Sequence, residues 1–199
     1  NPQAARAEQE RTEGARLLEL KNSIEVTIEA SPELRPFKNQ LLLDITSEGL
    51  RIQIVDEQNR PMFDSARAEL KPYTQKILRE IGGVLNRVEH RISIAGHTDA
   101  TPYAGGDKGV GNWELSANRA NASRRELVVG GMDEARVLRV VGLAATLPFD
   151  EADPFNPMNR RISIVVLNKR TEEMLLTDPK QISRMETAGE PAASNEKSK

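Results

Sequence analysis

Between Ile94 and Arg125 an apolar strand pattern runs into Gly96-His97-Thr98-Asp99, a glycine-rich loop follows, and a helix opens at Asn112-Trp113-Glu114-Leu115-Ser116. Asp99 at the strand end and Arg119 on the helix place one acid and one base on opposite sides of a single loop. A carboxylate receives an ammonium and a guanidinium grips a carboxylate in a bidentate fork, so the pair suits a small zwitterion. Taken alone, Asp99 fits a turn aspartate equally well, and Arg119 fits a solvated arginine paired with Glu114 or Glu126. Catalysis has little to draw on. Hydrolysis calls for paired carboxylates, a nucleophile with its base, or a histidine-rich metal set, and only His97 and Asp99 are neighbours. The run Gly105-Gly106-Asp107-Lys108-Gly109 is not a phosphate loop, because that loop needs Ser or Thr after its lysine. His97 reads as a neutral histidine bonded beneath the loop, and Trp113 as an anchor at the helix start.

The elements that must position these residues follow from periodicity. Leu17, Leu20, Ile24 and Ile28 share one helical face, while residues 3–16 carry no apolar stripe. Ser31-Pro32 and Arg35-Pro36 end that helix, since a residue before proline is pushed out of the α region. Leu41, Leu43 and Ile45, then Leu50, Ile52 and Ile54, alternate with polar residues around Ser47-Glu48-Gly49, which predicts a β-hairpin with one buried face. Pro72 opens a helix whose apolar set is Ile77, Leu78, Ile81, Val84 and Leu85. A strand over 91–95 precedes the loop. Asn112 or Ser116 caps the next helix, with Leu115, Ala120, Leu127 and Val128 inward and Gly130-Gly131 as its stop. A short helix from Asp133 to Val137, a strand over 139–144 and another over 161–167 complete the set. The pattern predicts a two-layer α+β sandwich, a mixed sheet with helices on one face. It divides the chain into a helical N-terminal linker (1–40), the sheet domain (41–169) and a C-terminal segment (170–199) that is mostly a disordered tail.

The 199 residues carry 28 basic and 30 acidic side chains, a net charge of -2, so a broad electrostatic footprint for nucleic acid is missing. There is no cysteine, which removes disulfides and thiolate metal sites. No run reaches the ~18 to 20 apolar residues of a membrane span. The start at Asn1 reads as a piece of a longer protein whose targeting or membrane segment lies upstream.

Four strings, FDSARAELKP at 63–72, GHTDATPY at 96–103, NWELSANRA at 112–120 and NRRISIVV at 159–166, resemble the OmpA-like peptidoglycan-binding domain in that family's order. NWELS, RANASRREL and VVGLAAT are similar to one branch, the periplasmic anchors of flagellar motor stators. The resemblance implies a non-enzymatic wall anchor without cofactor or metal. It implies that Asp99 and Arg119 hold the diaminopimelate of a stem peptide, with Thr101, Asn112 and Arg160 assisting. It further implies a homodimer and an upstream transmembrane helix in the inner membrane that meets a MotA partner to form a proton channel. A peptidoglycan-associated lipoprotein or another motor's stator subunit is the alternative. The chain departs from the family at the glycines 105, 106, 109 and 111, which lengthen the loop. It departs again at Ser65-Ala66, where some relatives place an asparagine.

Overall fold

The computed structural model describes residues 1–103 and 110–177; the tail expected from Glu186 onward and most of the glycine loop lie outside the described residues. Helix α1 (Pro2–Ala30) leads into a short 3-10 turn (Arg35–Gln40) and the hairpin β1 (Leu41–Thr46) and β2 (Gly49–Val55). There follow α2 (Pro72–Leu85), β3 (Ile92–His97), α3 (Asn112–Val129), β4 (Val137–Gly142), β5 (Arg161–Leu167) and α4 (Lys169–Leu176). The strands form one five-stranded sheet in the order β1-β2-β5-β3-β4. Only β3 and β4 run parallel; the other neighbours are antiparallel. The sheet is mixed and the class is α+β, as the alternation of elements predicts.

The period of two along the strands sorts the residues cleanly. Leu50, Ile52, Ile54, Ile92, Ile94, Ile162, Ile164 and Val166 join one buried cluster with Ile77, Leu78, Ile81 and Leu85 of α2 and Leu127 of α3. Leu17, Leu20, Ile24 and Ile28 belong to the same cluster, so the second half of α1 is part of the core while residues 1–12 are exposed. The opposite face is polar and laced by side chains: Arg161 Nε donates to Gln53 Oε1 at 2.9 Å, and Arg139 Nε donates to Ser93 Oγ at 2.8 Å.

Three local expectations are corrected. Ile45 is 46% exposed rather than inward, because it lies on an edge strand where α1 brings Arg6, Gln9, Glu10, Glu13 and Gly14 beside it, with no large apolar side chain before Leu17. The cap of α3 is Gly111 rather than Asn112 or Ser116; Glu114 Oε2 accepts the Gly111 N–H at 2.7 Å. The strand expected over 139–144 begins at Val137 and ends at Gly142, because its register follows β3 from Ile92.

Candidate functional site

The antiparallel neighbours of β5 fix where the site forms. Both Val55 and His97 pair with Arg161, so β2 and β3 end where β5 begins. The residue after β2 is Asp56, Asp99 lies two residues beyond β3, and the residue before β5 is Arg160. Its guanidinium bridges the two acids: Nε donates to Asp56 Oδ2 at 2.8 Å and Nη1 donates to Asp99 Oδ2 at 2.5 Å. Asp56 and Asp99 are 4% and 7% exposed.

Asp99 also accepts the Thr101 N–H on Oδ1 at 2.9 Å, closing a tight turn. Thr101 then accepts Asn112 Nδ2–H on its carbonyl at 3.0 Å, which ties the strand end to the first turn of α3. Thr101 itself is exposed. An ionised carboxylate has about four lone-pair sites. Among the described residues, the Thr101 N–H and Arg160 fill two of those on Asp99.

Arg119 is buried, not solvated, and pairs with neither Glu114 nor Glu126; Glu126 is taken by Arg79 at 2.6 Å. Arg119 instead donates Nε–H to the Arg67 carbonyl at 2.9 Å and Nη2–H to the Asp64 carbonyl at 3.4 Å. Its guanidinium lies over the Phe63 ring at 4.6 Å. Burial lowers its pKa, while the charges of Asp56 and Asp99 act to raise it. Of the five N–H donors of a guanidinium, these contacts engage two. The remaining donors include both on Nη1, the end that can fork a carboxylate.

The wall holding Arg119 has its own support. Tyr103 Oη donates to the Ala66 carbonyl at 3.2 Å, and Lys71 forms an ion pair with the Asp64 side chain. Ala66 has φ +57°, a left-handed conformation that asparagine adopts more readily than alanine.

The structure therefore brings Asp99, Thr101, Asn112 and Arg160 into one hydrogen-bonded set, with Arg119 facing it from the 63–67 wall. Asp56 and Phe63 were missed by the sequence reading. Burial pushes the Asp56 carboxyl above the usual carboxylate range, and its bonds from Arg160 and the Met62 N–H act against that. Burial opposes the charge on Arg160 as well, but its bonds to Asp56 and Asp99 outweigh burial and raise its pKa. Two carboxylates and two guanidiniums balance, so the cluster is neutral. A net-neutral zwitterion enters it without leaving a charge uncompensated, which an anion or a cation would not do.

His97 is 5% exposed and on the polar face opposite Arg161. Burial, with Arg161 adding to it, lowers its pKa from 6.5 to about 4, so it is neutral as expected; among the described residues its Nδ1 has no hydrogen-bond partner. A depressed histidine pKa stabilises the fold above the unfolded value and loses that contribution as pH falls. Between pH 6.5 and about 4 the loss is expected to be on the order of 2 to 3 kcal/mol. Urea unfolding at stepped pH checks this: His97→Gln should flatten the decline across that window, and an unchanged slope would count against it. Trp113 is 55% exposed, so it does not anchor the helix start; Ser116 Oγ does that work by donating to the Trp113 carbonyl at 2.9 Å and accepting the Ala144 N–H at 3.0 Å.

An open, mixed α+β sheet whose strand ends gather buried acids and bases places the chain among small two-layer α+β domains. Residues 62–161 match the OmpA family, and the chain belongs to that family. It is 50% identical over 187 residues to Motility protein B of Escherichia coli K12, covering 94% of this chain and 59% of that protein. The chain thus spans somewhat over half the length of this curated relative. Among solved structures, a MotB-like protein from Desulfovibrio vulgaris superposes with a TM-score of 0.65 at 20% identity, covering 80% of this chain and 98% of that one. The periplasmic domain of Helicobacter pylori MotB gives 0.61 at 17% identity, covering 81% and 96%. No helix among the described residues is long and apolar enough to cross a membrane.

Proposed function

We propose that this domain is a non-catalytic anchor that binds peptidoglycan, and that Asp99 and Arg119 hold the free end of diaminopimelate in the stem peptide. The observation that carries the reading is an acid and a base close enough for their charges to act on each other, Asp99 and Arg119, each with hydrogen-bonding positions that no described residue fills, in a cluster that is neutral before and after a zwitterion enters. Diaminopimelate presents an ammonium and a carboxylate on one carbon. Arg160 and the Thr101 N–H fix the Asp99 carboxylate, Asn112 fixes the loop that carries it, and Thr101 assists from its exposed position beside Asp99.

The likeness to Motility protein B supports the wider reading. The domain lies in the periplasm as part of an inner-membrane protein, acts as a homodimer, and fastens a flagellar stator containing MotA to the wall so that torque is delivered rather than lost. In this reading residues 41–169 are the binding domain and 170–199 a tail, and the helical extension 1–40 serves as a linker only before Leu17, where it joins the core. The test is an NMR titration of the 1–199 chain with a diaminopimelate-containing disaccharide tetrapeptide. Shifts centred on Asp99, Thr101, Asn112 and the Arg119 side chain, lost in Asp99→Asn, are expected. Shifts centred elsewhere, or undiminished in that variant, would overturn the assignment.

A further inference from the structure

Resting on that reading of the site, we propose that Asp56 is its positioning residue: one buried carboxylate that sets the acidic arm and the basic arm in register. The two oxygens of Asp56 face different halves of the site. Oδ2 accepts Arg160 Nε–H at 2.8 Å, and the same guanidinium reaches Asp99 at 2.5 Å. Oδ1 accepts the Met62 N–H at 2.8 Å, which begins the segment Met62-Phe63-Asp64. That segment supplies the ring beneath Arg119 and, at Asp64, one of its carbonyl acceptors. The backbone completes the frame: Asp56 N–H donates to the Arg160 carbonyl at 3.1 Å, and the Met62 carbonyl accepts from Lys71 N–H at 2.7 Å.

Asp56 touches neither proposed ligand group. With a side chain 5% exposed, it has no surface to offer a wall fragment. Its role is the spacing between the Asp99 carboxylate and the Arg119 fork, which decides whether ammonium and carboxylate on a single carbon are met together. Effects of about 1 Å on such a spacing cost binding groups much of their worth. Asp56 precedes the segment matched to the family, residues 62–161, so this support comes from outside the region that carries the binding strings.

The two arms give two distinct substitutions. Asp56→Asn keeps an oxygen for Met62 but turns an N–H toward Arg160. Asp56→Ala removes both contacts. In the ligand-free 1–199 chain, the Nε–H signals of the arginine side chains report each arm by NMR. Asp56→Asn is expected to move the Arg160 signal strongly and that of Arg119 less, through the lost charge alone; Asp56→Ala is expected to move both strongly. Affinity for the diaminopimelate-containing disaccharide tetrapeptide should fall about tenfold in Asp56→Asn, with the thermal unfolding transition still cooperative. An unmoved Arg160 signal in Asp56→Asn, or parent affinity in that variant, overturns the proposal. If Asp56→Ala does not fold, Asp56→Asn decides alone. If the parent chain does not bind the fragment, the wall-binding reading fails, and the arginine signals still report whether Asp56 couples the two arms.

Discussion

Replacing Arg119 by lysine is expected to weaken binding of a diaminopimelate-containing muropeptide by roughly 30-fold or more, with the domain still folded. Arg119 works in two directions at once. Nε and one Nη2 proton hold the Arg67 and Asp64 carbonyls, the plane lies on Phe63, and the far end is left to fork a carboxylate. A lysine has three donors on one atom and no plane, so it can satisfy the wall or the ligand but not both. Losing one partner of a desolvated, hydrogen-bonded charge pair costs about 2 to 5 kcal/mol, which is roughly 30-fold to a few thousand-fold in affinity. Asp99→Asn falls in the same range, because the amide still closes the turn through the Thr101 N–H but offers no charge to an ammonium. Isothermal titration of parent and both variants measures this, and swimming on soft agar of cells carrying the same changes in the full-length protein should be lost in step. Parent-like affinity in Arg119→Lys would remove the fork from the account.

The second large effect lies under the site. A Cβ built on Gly96 would stand 2.0 Å from the Ser116 carbonyl oxygen and 2.9 Å from its carbon. The atoms in the way are backbone, so no side chain can turn aside, and α3 must lift from β3. Overpacking of this kind costs on the order of 3 kcal/mol. For a chain of this size the melting temperature should drop by roughly 6 to 12 °C. Because α3 carries Arg119 and Asn112, muropeptide affinity should fall in Gly96→Ala even where it remains folded. Gly14 is the control. It lies in the exposed part of α1 with nothing within 4 Å of a built Cβ, so Gly14→Ala is expected to be neutral or to gain up to about 1 kcal/mol. Scanning calorimetry on the two variants separates the cases, and equal melting temperatures would contradict the close approach.

These expectations also show what was legible before any coordinates. The alternation of Leu50, Ile52 and Ile54 and of Ile162, Ile164 and Val166 specified strands and their inward face, because a period of two leaves no other choice once one face is buried. The four residues of α1 that join the core were marked by their spacing. Ile45 obeyed the same alternation and is exposed, since periodicity says which face a residue is on and not whether anything covers it. The cap of α3 was misplaced because Asn112 and Ser116 both have capping side chains, whereas the choice of Gly111 depends on where the loop enters.

The site divides in the same way. Asp99 and Arg119 stood out as an acid at a strand end and a base on the facing helix, and the family resemblance added Thr101, Asn112 and Arg160. Asp56 left no mark in the sequence. Its partner is 104 positions away, and only the pairing of Val55 and His97 with Arg161 brings the strand ends together. The acceptors of Arg119 at Asp64 and Arg67 are backbone carbonyls, which every residue possesses, so side-chain identity could not single them out.

The most direct measurement compares two muropeptides that differ only at the third residue of the stem, diaminopimelate against lysine, by titration calorimetry on the parent chain and on Arg119→Ala. Lysine retains the ammonium and lacks the neighbouring carboxylate. The opposed-charge account predicts that the parent prefers diaminopimelate by at least about tenfold and that Arg119→Ala binds both weakly with the preference gone. Equal affinity of the parent for the two, or a preference that survives the loss of Arg119, would contradict it.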